Sequence, residues 1–84
     1  MRLVFTPHGW EDYNFWVDTD RAILTRVNRL IEAALRDPSS GIGKPEPLRH
    51  LLSGAWSRRI SDSHRLVYLL DGEDLVILQA RYHC

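Results

Sequence analysis

The hydrophobic period of the chain changes from helical to strand-like across a proline-rich segment. Between residues 20 and 37, apolar side chains recur at helical spacing, as Ile23, Val27 and Leu30 illustrate. Residues 38–48 then contain three of the four prolines, and beyond them the period becomes two. The sequence therefore predicts helices before the proline-rich segment and a series of strands after it.

Capping and turn residues set the expected boundaries of these elements. Thr6 is suited to cap a first helix, with Pro7 at the first helical position, where its missing N–H costs nothing. Asp20 can cap a second helix, which should stop near Asp37 because Pro38 disfavours helical geometry just before it. The predicted elements are a strand at 2–5, helices at 6–20 and 20–37, a loop at 38–48, and strands at 54–61, 64–70 and 73–84.

The resulting order, β-α-α-β-β-β, predicts an α+β fold. Two helices would pack on one face of a small antiparallel sheet. Asp71-Gly72 between the last two strands is a strong hairpin signal. With 84 residues and no internal repeat, the chain is expected to form a single domain over residues 1–84.

Composition argues against several classes of protein. Lys+Arg and Asp+Glu are both 11, and a chain without net charge is unlike a generic polyanion binder, whose affinity comes from many phosphate contacts. A single cysteine cannot form an internal disulfide, which favours a reducing compartment. The sequence contains neither a recognisable signal peptide nor an apolar run of transmembrane length, so we expect a soluble, cytoplasmic protein.

Basic residues gather in one part of the chain. Residues 41–69 contain two acidic and five basic side chains, the latter being Lys44, Arg49, Arg58, Arg59 and Arg65. If the loop and the first two hairpin strands converge, these cations form a local anion site. The alternative is that the arginines are solvated or paired with nearby acids.

Two positions could carry a catalytic acid or base. Glu46 lies between Pro45 and Pro47, which should hold it in a stiff, extended segment. Strand alternation would place His83 at the end of one face of the last strand, a face that changes from apolar to polar in the order Leu75, Ile77, Gln79, Arg81, His83. The simpler alternatives are a rigid linker and a strand that ends at the surface.

Glu46, Arg65 and His83, with Arg59 and Lys44 nearby, would suffice for metal-free RNA cleavage. A carboxylate can take the proton from a ribose 2′-OH, and an imidazolium can protonate the departing 5′-oxygen. Arginines would stabilise the charge on the phosphorane. The four histidines are scattered and the single cysteine forms no ligand pair, so no metal or other cofactor is expected.

The motifs GKPEPLRHLLSGAWSRRISDSHRLVY and ARYHC closely resemble YoeB-type toxins, of the Txe/YoeB branch of the RelE superfamily. The likeness extends over essentially the whole chain, including WEDY and FW before residue 17. It implies a RelE-like, microbial-ribonuclease fold and ribosome-dependent cleavage of mRNA in the A site. It also implies a YefM-type antitoxin as partner, a homodimer, and binding of operator DNA only through the toxin–antitoxin complex.

The resemblance also implies roles for individual residues, motif by motif. Glu46 in PEPL would be the general base and His83 in RYH the general acid. Arg65 in HRLVY and Arg59 in WSRRI would be the phosphate and transition-state cations. The residues expected to contact substrate are Lys44, Arg49, Arg59, Tyr82 and Cys84.

The last residue departs from the family pattern. The family usually ends in RYHY, whereas this chain ends in Cys84, and a thiol cannot stack on a base as an aromatic ring does. Either Tyr82 or the ribosome supplies that platform, or the chain is a catalytically weakened member that acts mainly as an antitoxin binder and co-repressor. A non-nuclease toxin like the ParE group is a further alternative, although that group lacks the carboxylate–imidazole pair.

Overall fold

The structure, a computed structural model, describes residues 1–50 and 52–82. Two helices pack against a five-stranded sheet, which confirms the α+β fold. The elements are β1 (Arg2–Phe5), α1 (Pro7–Thr19), α2 (Arg21–Arg36), β2 (Glu46–Pro47), β3 (Ala55–Arg59), β4 (Arg65–Asp71) and β5 (Asp74–Gln79). Within the part of the chain that is described, neither helix is long and apolar enough to cross a membrane.

The sheet is mixed rather than purely antiparallel. Its strand order is β1-β5-β4-β3-β2, and β1 pairs in parallel with β5, whereas the other neighbours are antiparallel. The predicted sheet was therefore wrong at this edge. A pairing such as Arg2 with Asp74 joins residues so far apart in sequence that local patterns carry no signal of it. The strand β2 was also missed, because a two-residue segment that includes a proline matches no strand pattern.

Both predicted helix caps are confirmed. The Thr6 hydroxyl accepts a hydrogen bond from the Gly9 N–H at 3.0 Å. The Asp20 carboxylate accepts from the N–H groups of Ala22 and Ile23, each at 3.1 Å. These bonds satisfy N–H groups that have no partner inside a helix, so both helices begin where the sequence indicated.

The first turn of α1 lies directly on β5. The Ile77 carbonyl accepts hydrogen bonds from the Thr6 N–H at 3.1 Å and from the Thr6 hydroxyl at 3.2 Å. A Cβ at Gly9 would overlap that same carbonyl oxygen. Only glycine permits this close approach, which fixes α1 against the end of β5.

The main core lies between the helices and one face of the sheet. A fully buried Leu or Ile side chain contributes about 1.5–3 kcal/mol relative to an exposed one. The buried members are Trp16, Val27, Leu30, Ile31, Ala34, Ile60, Leu66, Tyr68, Leu75, Ile77 and Ala80. On the opposite face a smaller cluster joins Leu48, Ala55 and Val67. That second face is only partly covered, which leaves room for a site.

A bulge in β5 changes which side chains share a face. Gln79 lies opposite Val67, but Ile77 lies opposite Tyr68, so Leu78 is an extra residue. Gln79 therefore shares the face of Val67, whereas Ala80 joins the helix-side core.

The predicted single polar face of the last strand is thus wrong beyond Ile77. Strand geometry ends at Gln79 instead of continuing to the terminus, and residues 80–82 form a bend. His83 and Cys84 lie outside the described residues.

Candidate active site

The candidate site lies on the sheet face opposite the helices. Register places Glu46 of β2 beside Ser57 of β3, and Arg59 of β3 beside Arg65 of β4. Paired residues share a face, and alternation puts Ser57 and Arg59 on the same side of β3. The sheet therefore brings the predicted base and the predicted phosphate cations onto one surface.

Glu46 and Arg65 are in direct contact. Arg65 Nη1 lies 3.0 Å from Glu46 Oε1 and donates to the buried Ser57 hydroxyl at 3.1 Å. The Glu46 side chain is 56% exposed, but that of Arg65 is only 22% exposed. The carboxylate is therefore open to an incoming hydroxyl, while the guanidinium is oriented from below by Ser57.

The short strand β2 explains how Glu46 keeps its position. Glu46 and Pro47 pair with Ser57 and Trp56, and the Leu48 N–H donates to the Ala55 carbonyl at 2.9 Å. Because β2 is an edge strand, a proline next to Glu46 removes no bond that the sheet needs. The predicted stiff, extended segment is thus observed as an edge strand.

Arg59 and Lys44 are exposed at the same end of the sheet. The Arg59 N–H donates to the Gly43 carbonyl at 2.7 Å, and the Arg59 carbonyl accepts from Arg26 Nη2 at 3.0 Å. Gly43 and Lys44 both have positive φ, 85° and 50°. Lys44 directly follows Gly43, the residue that bonds to the Arg59 backbone. The side chains of Lys44 and Arg59 can therefore approach the same anionic ligand.

Arg49 lies further along the same edge. It lines an open depression of about 390 Å³ together with Pro47, Ser53, Gly54, Ala55 and Trp56. Arg49 is three residues after Glu46 in the sequence, and its side chain is exposed. It forms no hydrogen bond or ion pair with Glu46 or Arg65. The structure therefore places Arg49 beside the candidate site rather than within it.

Arg58 was grouped by sequence with the cations of a possible anion site, but it does not lie on the surface. It is fully buried, since alternation turns it towards the helices while Arg59 points away. Its guanidinium donates to the Tyr68 hydroxyl at 2.9 Å and to three backbone carbonyls of the loop after α2. Those carbonyls belong to Asp37 (2.7 Å), Ser40 (2.7 Å) and Ile42 (2.9 Å).

Residues 37–43, here termed the Arg58-bound loop, lead directly into Lys44 and Glu46. The Asp37 carboxylate accepts hydrogen bonds from the Ser39 N–H and from the hydroxyls of Ser40 and Ser39, and these bonds lower its pKa. The positive charge of Arg58 lowers the same pKa further. A buried cation thus acts on the site indirectly, by fixing the loop that carries the candidate base.

The C-terminal segment, residues 80–82, is held next to Arg65. The Tyr82 carbonyl accepts from the Arg65 N–H at 3.0 Å, and the Tyr82 N–H donates to His64 Nδ1 at 2.7 Å. The Tyr82 side chain is 59% exposed. The residue that precedes His83 is therefore bonded to the backbone of the predicted phosphate cation.

Sequence reasoning missed four residues that build this site. Ser57 orients Arg65, and His64 binds the Tyr82 N–H. Asp12 and Trp16 bind the backbone of Ala80 from α1. The one available signal was their presence in the WEDY, FW, WSRRI and HRLVY motifs. Asp12 and Trp16 are in addition one helical turn apart, and polar groups on a buried face require partners.

The described histidine and carboxylate side chains do not come together in any group of three that could hold a metal ion. The chemical capacity of the site thus rests on one carboxylate and several guanidinium groups. Such a set can accept a proton from a hydroxyl and bind a phosphate.

This fold recurs in solved bacterial toxins. The chain is similar to the toxin in "The structure of YoeB dimer from Staphylococcus aureus", with 36% identity and a TM-score of 0.91 over 100% of this chain and 98% of that one. It is similar also to a chain of a heterotetrameric YoeB–YefM toxin–antitoxin complex from Staphylococcus aureus. That match has 36% identity and a TM-score of 0.88, again over 100% and 98%. The class is therefore that of small toxins from toxin–antitoxin systems.

Sequence comparison defines the family. Residues 5–84 match the family described as YoeB-like toxin of bacterial type II toxin–antitoxin system. The chain is 60% identical over 83 residues to toxin YoeB of Streptomyces coelicolor, covering 99% of both chains. The protein therefore belongs to the family of YoeB-like toxins, which confirms the resemblance seen in its motifs.

Proposed function

We propose that this toxin is a ribosome-dependent endoribonuclease that cleaves mRNA in the A site and thereby stops translation. The observation that carries the proposal is the solvent-open Glu46 carboxylate 3.0 Å from the Arg65 guanidinium. Arg65 is in turn bonded to the residue that precedes His83. The proposed base therefore contacts the proposed phosphate-binding cation, which is bonded to the segment that precedes His83.

The reaction needs only groups that the chain supplies. Glu46 takes the proton from the 2′-OH, and the resulting oxygen attacks the adjacent phosphorus. Arg65 and Arg59 stabilise the additional negative charge of the phosphorane. His83 gives a proton to the departing 5′-oxygen, so the products are a 2′,3′-cyclic phosphate and a free 5′-hydroxyl.

The Glu46–Arg65 pair gives way readily to substrate. An ion pair this exposed contributes only about 0–1 kcal/mol, so exchanging Glu46 for a phosphate oxygen as the partner of Arg65 costs little. The bond from Arg65 to Ser57 keeps the guanidinium in place during that exchange. Glu46 is then released to accept the hydroxyl proton.

Tyr82 is our candidate for the aromatic platform that Cys84 cannot provide. Its ring is largely exposed, and its hydroxyl accepts a hydrogen bond from Arg81 Nη2 at 2.7 Å. The Arg81 guanidinium lies 4.7 Å from the Tyr82 ring centre and 3.6 Å from that of Phe15. A base stacked on a tyrosine held in this way would gain about 1–3 kcal/mol. Lys44 and Arg49 would then contact the neighbouring phosphates of mRNA or ribosomal RNA.

The proposed partners follow from the relatives. A YefM antitoxin is bound in the Staphylococcus aureus complex, and another structure is titled as a YoeB dimer. We therefore propose a YefM-type antitoxin and a homodimer for this chain, with operator DNA bound only through the antitoxin complex. Ribosome and mRNA are the proposed target, which requires a cytoplasmic location.

The proposed function is tested on purified ribosomes that carry a defined message. Glu46→Gln should lower the single-turnover cleavage rate by about 10²–10⁴-fold, because the amide cannot accept the 2′-OH proton. The matched control is Glu73→Gln, an exposed acid in the β4–β5 turn, which should cleave at the wild-type rate. Cleavage by Glu46→Gln at an undiminished rate would refute the base assignment.

The terminal cysteine favours one second candidate, a weakened toxin that acts mainly as an antitoxin binder and co-repressor. Growth arrest on expression separates the two. If wild type arrests growth, the nuclease proposal stands, but if only Cys84→Tyr does so, the weakened toxin is correct. A gyrase supercoiling assay tests the ParE-like alternative in the same preparation.

A further inference from the structure

The backbone of residues 80–82 has left the sheet, yet it is hydrogen-bonded at almost every polar atom. Five bonds to α1, β4 and nearby side chains hold these three residues. They are Ala80 N to Asp12 Oδ2, Trp16 Nε1 to Ala80 O, Gln79 Nε2 to Arg81 O, Tyr82 N to His64 Nδ1, and Arg65 N to Tyr82 O. Backbone groups outside a sheet have no strand partners to bond with, so this anchoring requires an explanation.

Two of the bonds come from one face of α1. Asp12 and Trp16 are one helical turn apart and both are buried, with 3% and 5% exposure. The carboxylate accepts the Ala80 N–H at 3.0 Å, and the indole N–H donates to the Ala80 carbonyl at 2.8 Å. His8 adds a contact to the Asp12 carboxylate at 3.4 Å. Burying a carboxylate costs free energy unless it is hydrogen-bonded, and the main partner of Asp12 is the Ala80 N–H.

The third anchor is His64, which binds Tyr82 through a lone pair. The 2.7 Å bond requires an unprotonated Nδ1, because both nitrogens of an imidazolium are donors. The imidazole is fixed edge-on to the Trp16 ring, with the ring centres 4.9 Å apart, and its centre lies 5.4 Å from that of the Tyr82 ring. Tyr82 has a φ of 61°, a left-handed conformation that a residue other than glycine keeps only when its surroundings impose it.

We propose that Asp12, Trp16 and His64 form a clamp that positions the C-terminal segment, and that His64 is its pH-sensitive member. These are positioning residues, since they act through the backbone of Ala80 and Tyr82 and not on the substrate. The proposal rests on the proposed function, in which His83, the residue after Tyr82, is the general acid. Protonation of His64 would remove the acceptor for the Tyr82 N–H and release the segment.

The elements in contact with His64 carry several charged or titratable groups. They are His8 and Asp12 on α1, Asp62 in the β3–β4 turn, Arg65 on β4, and Arg81 and Tyr82 in the C-terminal segment. A pH effect on cleavage must therefore be assigned by substitution of His64 itself. Asparagine is the matched replacement, because its Oδ1 occupies the position of Nδ1 and accepts a hydrogen bond without titrating.

The activity test compares wild type, His64→Asn and His64→Leu in single-turnover cleavage on programmed ribosomes between about pH 5 and about pH 8, the range in which histidines change charge. His64→Leu should be slower by about 10–100-fold at every pH, since a misplaced acid loses its alignment. His64→Asn should stay within a few-fold of wild type near neutral pH. It should also keep more of its rate at acid pH than wild type does.

A second readout does not depend on activity. Amide hydrogen exchange measured by NMR should show a protected Tyr82 N–H in wild type and in His64→Asn, but an unprotected one in His64→Leu. Acidification should deprotect this amide in wild type and leave it protected in His64→Asn. Circular dichroism checks that each variant is folded, and the asparagine variant keeps the test valid if the leucine variant does not fold.

The outcomes separate the two proposals. If wild type does not cleave ribosome-bound message, the proposed function fails, whereas the exchange data still decide whether the clamp exists. The clamp is refuted if the Tyr82 amide is equally protected in all three proteins. Loss of protection in His64→Leu with an unchanged cleavage rate would refute its role in positioning the acid.

Discussion

Two regions flank the candidate site, and they are held in different ways. The Arg58-bound loop, which leads into Lys44 and Glu46, is fixed by a buried guanidinium that donates to three backbone carbonyls. The C-terminal segment is fixed by a carboxylate, an indole and an imidazole. A guanidinium keeps its charge at every pH relevant to a cell, whereas an imidazole does not. The anchoring of the Arg58-bound loop should therefore be insensitive to pH, and that of the C-terminal segment should respond to it.

The two sides also differ in what their loss would remove. The contacts of Arg58 lie inside the main structure, next to Tyr68, so its removal should affect the stability of the whole chain. The contacts of the C-terminal segment lie next to Arg65, so their removal should affect cleavage as well as stability. Three predictions test this distinction, from the largest expected effect on stability to the smallest.

Arg58→Met should reduce the free energy of unfolding by about 3–5 kcal/mol. Methionine fills a similar volume but leaves the carbonyls of Asp37, Ser40 and Ile42 without their donor, and each hydrogen bond to a charged group is worth about 1.5–3 kcal/mol. Urea denaturation measures the change. Arg59→Met, on the exposed face of the same strand, is the matched control and should lose less than about 1 kcal/mol. Equal losses would contradict the structural role of Arg58.

Asp12→Ala should reduce stability by about 1–3 kcal/mol, because it leaves the buried Ala80 N–H without a partner. The variant should remain folded at room temperature, so unfolding alone would hardly slow cleavage. We expect cleavage to slow nevertheless, because the C-terminal segment loses one of its anchors. Single-turnover cleavage and Ala80 amide exchange measure the two effects. Glu11→Ala, the exposed neighbour, should change neither. A variant with lower stability but a wild-type cleavage rate would show that Asp12 stabilises the fold without positioning the C-terminal segment for cleavage.

Tyr68→Phe should cost about 1–2 kcal/mol at neutral pH, because the hydroxyl links Arg58 to the Pro38 carbonyl at 2.6 Å. Burial raises the pKa of Tyr68 above its ordinary value of 10.0, although the hydrogen bond from Arg58 opposes the shift. A raised folded pKa means that this stabilisation is complete below about pH 10 and is lost as the pH rises through the folded pKa.

The stability of wild type should therefore fall at alkaline pH more steeply than that of Tyr68→Phe. Denaturation curves at a series of pH values measure this difference. Tyr13→Phe is the control, because the Tyr13 hydroxyl bonds to Asn28 at the surface. If the Tyr68 and Tyr13 variants show the same alkaline slope, the buried network around Arg58 does not control it.

The local elements could be predicted because neighbours along the chain determine them. The caps at Thr6 and Asp20 and the hairpin at Asp71-Gly72 lie where the sequence indicated. The parallel β1–β5 pair could not, since its strands are distant in sequence. The bulge at Leu78 could not either, because strict alternation gives no sign of an extra residue. The bulge moves Gln79 to the face opposite Ile77, and one extra residue is enough to make a parity argument fail.

The sequence predicted which residues form the candidate site, but not the residues that hold them in place, such as Ser57 and His64. Motifs indicated Glu46 and Arg65, and the structure brings these two side chains together. The roles of Glu46, Arg65 and His83 stay predictions that the cleavage assays test. Alternation puts Arg58 on the face of Trp56 and Ile60, and Arg59 on the other, but the local sequence does not show which acceptors a buried guanidinium would find.

The sequence by itself determined the helices, the hairpins and the family, since caps, periods and motifs are properties of short segments. Tertiary structure alone decided which arginine is buried, which strand β1 joins, and how residues 80–82 are held. Those outcomes depend on atoms more than ten residues apart, such as Asp12 with Ala80 and His64 with Tyr82. Such contacts form only when packing of the whole core fixes the distance between them.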